Sequence, residues 1–337
     1  MARYIRFPML VYAGIDEAGY GPLLGPLCVG CSVFIVNDAD PAAGAPNLWR
    51  LLDGAVCRSR RDAKNRIAIE DSKKLKGSNA SATSHPLKHL ERGVLAMLSA
   101  SHGAAARLPA SDDELFSMLN AADQDDASPW CDVRCELPVA QVADELAIAS
   151  GRIQRAMERA GVSCSMIRCE AIDAAAFNAQ VARTNNKATV NFGAAMRLVE
   201  IIRRRWPREH PRIILDRHGG RTHYREELQF SWPHAKIQIL AEDDRMSRYR
   251  LDCEGALLTL TFMPDAEEAH LPVALASMTA KYVRELHMLR LNRFFGGLVP
   301  ELKPTAGYYT DAKRYLEAIE PAIRRLNIPV ERLVRAM

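Results

Sequence analysis

No apolar stretch in this 337-residue chain reaches the roughly 18 uncharged residues that a membrane helix needs. The longest such stretch, Leu23 to Val36, is broken by glycine and proline. Cysteine is equally sparse. Eight in a chain of this length exclude a disulfide scaffold and suggest ordinary buried thiols. Cys28-x-x-Cys31 and Cys131-x3-Cys135 invite a zinc reading, but the first pair lies in an apolar run and neither has a His-rich partner segment. There is no internal repeat. The first eight residues carry basic side chains but no apolar core of signal-peptide length, so a cytoplasmic protein is expected. A net charge of +4 is too mild to argue for nucleic acid by itself.

What is present is enough apolar material, 48% of residues, for a proper core in one large domain or two ordinary ones. Charge is unevenly distributed. Arg50 to Arg92 holds 11 Lys/Arg against 5 Asp/Glu, and Ser111 to Leu146 holds 10 Asp/Glu against Arg134 alone. A basic patch beside an acidic block fits a phosphate-binding face; two solvated surface insertions would give the same pattern.

Along the chain, Met9 to Val36 reads as two strands joined through a Gly-Pro turn, and Asn47 to Ile69 as partly helical. Amphipathic spacing predicts helices over His85 to Ala100, Val139 to Ala160 and Asn191 to Trp206, and a long one over Leu271 to Phe295. Ser111 with Glu114 three residues on has the form of a helix start. Strands are expected at Met166 to Ile172, Arg212 to Asp216 and Ile237 to Ala241, which together give an α/β pattern.

Two of these strands end on acids. Asp16-Glu17 closes an apolar run just before Gly19-Tyr20-Gly21, and Asp216 closes "RIILD" before "RHGG". Unpaired carboxylates entering a core cost several kcal/mol unless neutralised or bound to a cation. Neighbouring strand residues point to opposite faces, so Asp16 and Glu17 are expected to share a site only if the strand stops at Asp16. Glu285, on the long helix, has two readings: a third acidic position, or an i,i+4 surface ion pair with Lys281. Hard carboxylate oxygens without His or Cys select Mg²⁺ or Mn²⁺, and two such ions about 4 Å apart are a device for phosphodiester displacement.

On "GIDEAGYGPLLGPL", "EDSKKL", "EAIDAAAFNAQ" with "NFGAAMRLVE", "ILDRHGG", "LASMTAKYVRE" and "AGYYTDAKRYLEAI", in this order over about residues 9 to 320, the chain resembles the ribonuclease HII family. The resemblance implies a ribonuclease-H-like α/β fold: a mixed sheet flanked by helices in one domain over 1–337, with insertions near 37–69 and 101–160 and a C-terminal turn-helix segment from about 300. It implies a metal-dependent endonuclease that cuts RNA in RNA/DNA hybrids or in duplexes containing ribonucleotides, leaving 3′-hydroxyl and 5′-phosphate ends. Asp16, Glu17, Asp216 and Glu285 would be the catalytic, metal-holding acids for Mg²⁺ or Mn²⁺. Gly19, Tyr20, Gly21 and Tyr308 would read the 2′-hydroxyl, and Lys73 and Lys74 would hold phosphates.

The sequence departs from the family pattern at three places. Tyr20 stands where the family has arginine, Glu285 where it has aspartate, and Arg217-His218 where it has glycine directly after the strand acid. His218 is a candidate proton shuttle or a plain loop residue. The alternatives are a hybrid- or duplex-binding relative with little or no cleavage, or a nuclease of the same fold with another substrate.

Overall fold

A computed structural model describes residues 9–39, 44–78, 84–103, 107–121, 128–217 and 219–336. Its strands are β1 (Met9–Ala18), β2 (Leu27–Asn37), β3 (Val56–Cys57), β4 (Ile67–Ala68), β5 (Val162–Ile172), β6 (Arg212–Asp216), β7 (Lys236–Glu242), β8 (Ser247–Cys253) and β9 (Ala256–Met263). Its helices are α1 (Leu48–Leu51), α2 (Ser72–Leu75), α3 (Lys88–Ser101), α4 (Asp112–Leu119), α5 (Ala143–Ala160), α6 (Ala174–Thr184), α7 (Lys187–Arg205), α8 (Arg225–Ser231), α9 (Ala266–Ala269), α10 (Leu271–Gly296) and α11 (Tyr309–Arg325).

Seven strands form one mixed sheet in the order β5-β2-β1-β6-β9-β8-β7. β1, β6 and β9 run parallel to one another, and the remaining neighbours are antiparallel. Both faces of the central strands are buried, which explains their nearly unbroken apolar runs. Val11, Ala13 and Ile15 face a core shared with α7, whereas Leu10 and Tyr12 face the side of α10 and α3. The mixed sheet flanked by helices is therefore the architecture the sequence implied.

α10 lies directly on the sheet backbone because two glycines admit it. A Cβ on Gly14 would sit 2.2 Å from the Val273 nitrogen, and one on Gly30 2.2 Å from the Ala276 carbonyl oxygen. Neither contact can be relieved by a side-chain rotation. Gly30→Ala should therefore destabilise the protein by about 1–3 kcal/mol or more through overpacking, read as a lowered thermal midpoint with unchanged far-ultraviolet circular dichroism after refolding.

Residues 47–69 are helical in parts, as expected, with α1 and a 3-10 turn over Arg60–Asp62, and they also hold a two-stranded ribbon, β3 with β4. Leu48, Trp49, Val56 and Ile67 from this region join the same core as α10. Ser111 does cap α4, accepting from the Glu114 amide at 3.3 Å, and the apolar side of α4 enters that core too. The acidic block is tied down: Arg290 of α10 holds Asp112 at 2.6 Å and Asp113 at 2.5 Å. The hairpin of β8 and β9 has no counterpart in the sequence reading.

Cys28 and Cys31 face opposite sides of the sheet in different cores, and all eight cysteines are free thiols. Among the described residues no helix is long and apolar enough to cross a membrane.

Candidate active site

Because β1, β6 and β9 are parallel, their C-terminal ends reach the same edge of the sheet. This is where open α/β sheets place ligands. β1 and β6 pair only from Tyr12/Arg212 to Ile15/Leu215, and β6 pairs with β9 up to Asp216/Met263. β1 runs on to Ala18, with Glu17 paired to Val29, so the strand does not stop at Asp16. The two acids reach one site for another reason. They lie just past the last β1–β6 pair, so a carboxylate on either face borders the opening that Asp216 closes from the other side.

Each acid feels the others. Burial, followed by the charges of Glu17 and Asp216, pushes Asp16 well above the usual carboxylate range, against a hydrogen bond from Ser277. Burial and Asp216 push Glu17 up to about 7, against a hydrogen bond with Asn191 and the charge of Lys73. Asp216 is raised mainly by burial, although the Ala266 amide donates to its Oδ1 at 3.2 Å. The fourth member of the group is Glu267 in α9, raised by burial and then by Asp216 and Asp71. Its Oε2 is buried and has no hydrogen-bond partner among the described residues.

Glu285 is not brought to this group. Two turns beyond Ser277 on α10, its carboxylate pairs with Lys281 at 2.8 Å and Lys76 at 3.6 Å. The i,i+4 pair with Lys281 is present, with Lys76 as an additional partner, but it is largely buried rather than on the surface. Glu267, in "PDAEEAH", is a site residue that the sequence analysis does not single out. The available signal was an acidic segment directly after an apolar strand run, the same arrangement that marks Asp16 and Asp216.

The two lysines part company. Burial works against the charge of Lys73, but Asp71, Asp16, Glu267 and Asp216 outweigh it and raise its pKa, which places this ammonium against the acids. Asp71 orients the segment by accepting from the Lys73 amide at 3.0 Å and capping α2. Lys74 instead binds Glu268 at 2.6 Å, in a network with Glu70 and Arg58.

The turn after β1 is pinned from below by two buried arginines. Arg284 donates from Nη2 to the Leu24 carbonyl at 2.9 Å and the Ala306 carbonyl at 3.1 Å. Arg335 donates to Gly19 O at 2.5 Å and also to Pro22 O. Gly19 has φ +87°, and a Cβ there would meet the Arg284 Nε at 2.4 Å, so glycine is required for both conformation and space. At Gly21 a Cβ would meet nothing within 4 Å, so this position faces open space. Tyr20 lies close enough to Glu17 for that charge, after burial, to raise its pKa, and Lys187 Nζ sits 5.3 Å from its ring. The C-terminal motif docks on the same turn: Gly307 O accepts from the Leu23 amide at 2.8 Å and the Leu24 amide at 3.2 Å, next to the exposed Tyr308. His218 lies outside the described residues.

Among the described residues, no group of three or more His, Cys, Asp or Glu is gathered tightly enough to hold a metal ion. The donor set nevertheless suits a hard divalent cation: four mutually repelling carboxylates, one with an orphaned oxygen, and no soft ligand. A pH dependence follows. Because the folded-state pKa values of these acids are raised, the group holds more protons in the folded protein than in the unfolded chain between roughly pH 4.5 and 7. Their contribution to stability is complete below the unfolded carboxylate range and is lost as pH rises through about 7. The thermal midpoint of Asp16→Asn relative to the wild type in EDTA should rise across this window; the difference isolates the acids from the buried His210, His270 and His287, whose lowered pKa values act in the opposite direction.

No family model matches the sequence, and no curated protein matches it. Solved structures do. The ribonuclease HII of Archaeoglobus fulgidus, solved in complex with PCNA, aligns at 18% identity over 97% of this chain and 94% of that one, with a TM-score of 0.44. Bst-RNase HIII in complex with Mn²⁺ aligns at 17% identity over 98% and 67% of the respective chains, with a TM-score of 0.41. The ribonuclease H2 of Pyrococcus horikoshii OT3 aligns at 16% identity over 96% and 92%, with a TM-score of 0.42.

Proposed function

We propose that this chain is a divalent-cation-dependent endonuclease that cuts the RNA strand of RNA/DNA hybrids or of duplexes containing ribonucleotides, leaving 3′-hydroxyl and 5′-phosphate ends. The observation that carries this reading is the meeting of Asp16, Glu17, Asp216 and Glu267 at the ends of three parallel strands, beside the pinned Gly19-Tyr20-Gly21 turn. These four acids would hold Mg²⁺ or Mn²⁺. Such an ion would supply a water of lowered pKa and offset charge on the phosphate.

The chain's own groups have separate tasks. Lys73, with its charge favoured by the acids around it, offers a cation to a non-bridging phosphate oxygen. The peptide groups of Gly19 and Gly21, in a turn held by Arg335 at Gly19 and Pro22 and by Arg284 at Leu24, would face a 2′-hydroxyl without adjusting to it, which is the preorganised form of recognition. Tyr20 offers a ring where a guanidinium would have forked a phosphate, so it would stack on a base or sugar. Tyr308 stands exposed next to the same turn. A cytoplasmic setting belongs to the same reading.

The test is cleavage of a labelled duplex carrying either one ribonucleotide or a run of four, with Mg²⁺ and then Mn²⁺, against an Asp16→Asn control. Metal-dependent cutting that the control lacks is expected, and the ratio between substrates reports what Tyr20 contributes. Binding without cutting of either substrate would favour a non-catalytic duplex-binding protein.

A further inference from the structure

α10 covers β1 and β2 but leaves the same face of β6, β9 and β8 open at the end away from the acids. There the register brings together side chains that the sequence separates. Arg212 of β6 lies beside Thr259 of β9, which lies beside Arg250 of β8; Ile214, Thr261 and Arg248 form the next row. These residues line a groove of about 530 Å³, with Tyr12 at its edge.

The three guanidiniums have no carboxylate partner among the described residues. Arg212 Nη1 donates to Thr259 Oγ1 at 3.0 Å, and Arg248 Nε to Thr261 Oγ1 at 3.1 Å. The hydroxyls beneath them belong to buried threonines, so the heads are aimed by the sheet rather than by an acid. Burial and then the charges of Arg250 and Arg248 lower the pKa of the half-buried Arg212, and burial followed by the charges of Arg212 and Arg250 lowers that of His210. Like charges crowded without a counter-charge oppose folding, and an anion in the groove would relieve them.

We propose that this groove is a phosphate-binding surface, separate from the acids, that takes the sugar-phosphate backbone of a nucleic-acid strand. The spacing favours a backbone over a compact anion: Arg248 and Arg250 are two residues apart along one strand, about 7 Å at the backbone, and Arg212 is two strands away, about 10 Å. Arg212 is four residues from Asp216 on β6, about 13 Å, with the α9–α10 corner between them. A duplex engaged at the acids would therefore reach the groove beyond that corner. The inference rests on the proposed nucleic-acid substrate for the source of the phosphate alone.

The test compares the wild-type chain with Arg250→Gln and with the Arg248→Gln/Arg250→Gln double variant, neither of which touches the acids. Affinity for a labelled hybrid duplex is measured in EDTA over a range of salt. The double variant should lower the slope of log affinity against log salt by roughly 1–2, with Arg250→Gln lowering it by about half as much. The rate of cleavage at saturating duplex should stay unchanged. Phosphate contacts do not separate RNA from DNA, so an equal loss of slope on an all-DNA duplex upholds the groove even where no ribonucleotide is cut, and the two readings fail separately. Unchanged slopes in both variants overturn the proposal. So does a thermal midpoint raised by inorganic phosphate or pyrophosphate in the wild type but not the double variant, with the duplex slopes intact; that outcome would make this a small-anion site.

Discussion

Glu267→Gln is expected to lower metal-dependent cleavage by about 100-fold or more, the scale on which a misplaced catalytic group costs rate, while Glu285→Gln leaves the rate nearly intact. The contrast is informative because sequence resemblance and structure assign the fourth acid differently. Glu267 faces Asp216, Asp71 and Lys73 and carries an unpartnered buried oxygen. Glu285 already has two lysines for its charge, so its removal should appear in stability rather than turnover. Steady-state kinetics of both variants with Mg²⁺ and Mn²⁺, alongside thermal denaturation, separate the two effects. In EDTA, Glu267→Gln should unfold at the same or a higher temperature than the wild type, because it removes one of four repelling charges. A loss of rate accompanied by a lowered midpoint would instead indicate damage to the fold.

The other large effect is expected at Arg284. Its side chain is fully buried among Gly19, Gly25 and Gly307, and it bridges the turn after β1 to the C-terminal segment through the Leu24 and Ala306 carbonyls. Arg284→Ala would open a large cavity and strand both carbonyls, a cost of about 3–5 kcal/mol, or roughly 5–15 °C in thermal midpoint. Arg284→Lys should recover part of the stability, since an ammonium can donate to these carbonyls but leaves unfilled part of the space the guanidinium occupies. Arg335 acts on the same turn at the Gly19 and Pro22 carbonyls, and burial together with the Arg284 charge pushes its guanidinium down to about 10. Arg335→Ala should therefore loosen the turn without emptying the core beneath α10. The expected readout is a raised KM for the single-ribonucleotide duplex with kcat less affected, because this turn would position the 2′-hydroxyl rather than the acids.

Most of what the sequence made legible lies where periodicity and burial agree. β1, β2, β6 and the long α10 are found within a few residues of where apolar runs and helical spacing put them. The strand-end acids Asp16, Glu17 and Asp216 were visible because carboxylates closing apolar runs are costly unless compensated. What remained hidden depends on the tertiary arrangement. The β8–β9 hairpin turns on Glu254 and Gly255, both at positive φ, and its strands mix arginine and threonine with apolar residues, which blurs the alternation. Glu267 becomes a site residue only because α9 folds back over the end of β6, a relation between segments 50 residues apart. Glu285 was given a second reading because its spacing from Lys281 fits an ion pair; that reading matches its neighbours, while the acid role drew on the resemblance. Lys73 and Lys74 are adjacent in sequence, yet only the three-dimensional course of α2 distinguishes the one that faces the acids.

The account stands on the acids forming a centre for a hard divalent cation, and titration calorimetry with Mn²⁺ near pH 6 tests this most directly. At that pH Glu17, held at about 7, is mainly protonated in the metal-free protein, and burial raises Asp16 in the same direction. Mn²⁺ binding must therefore release protons, seen as a heat that changes with the ionisation enthalpy of the buffer. The account predicts saturable binding with proton release that is lost in Asp216→Asn and retained in Glu285→Gln. Binding that survives Asp216→Asn undiminished, or no binding by the wild type, would contradict it.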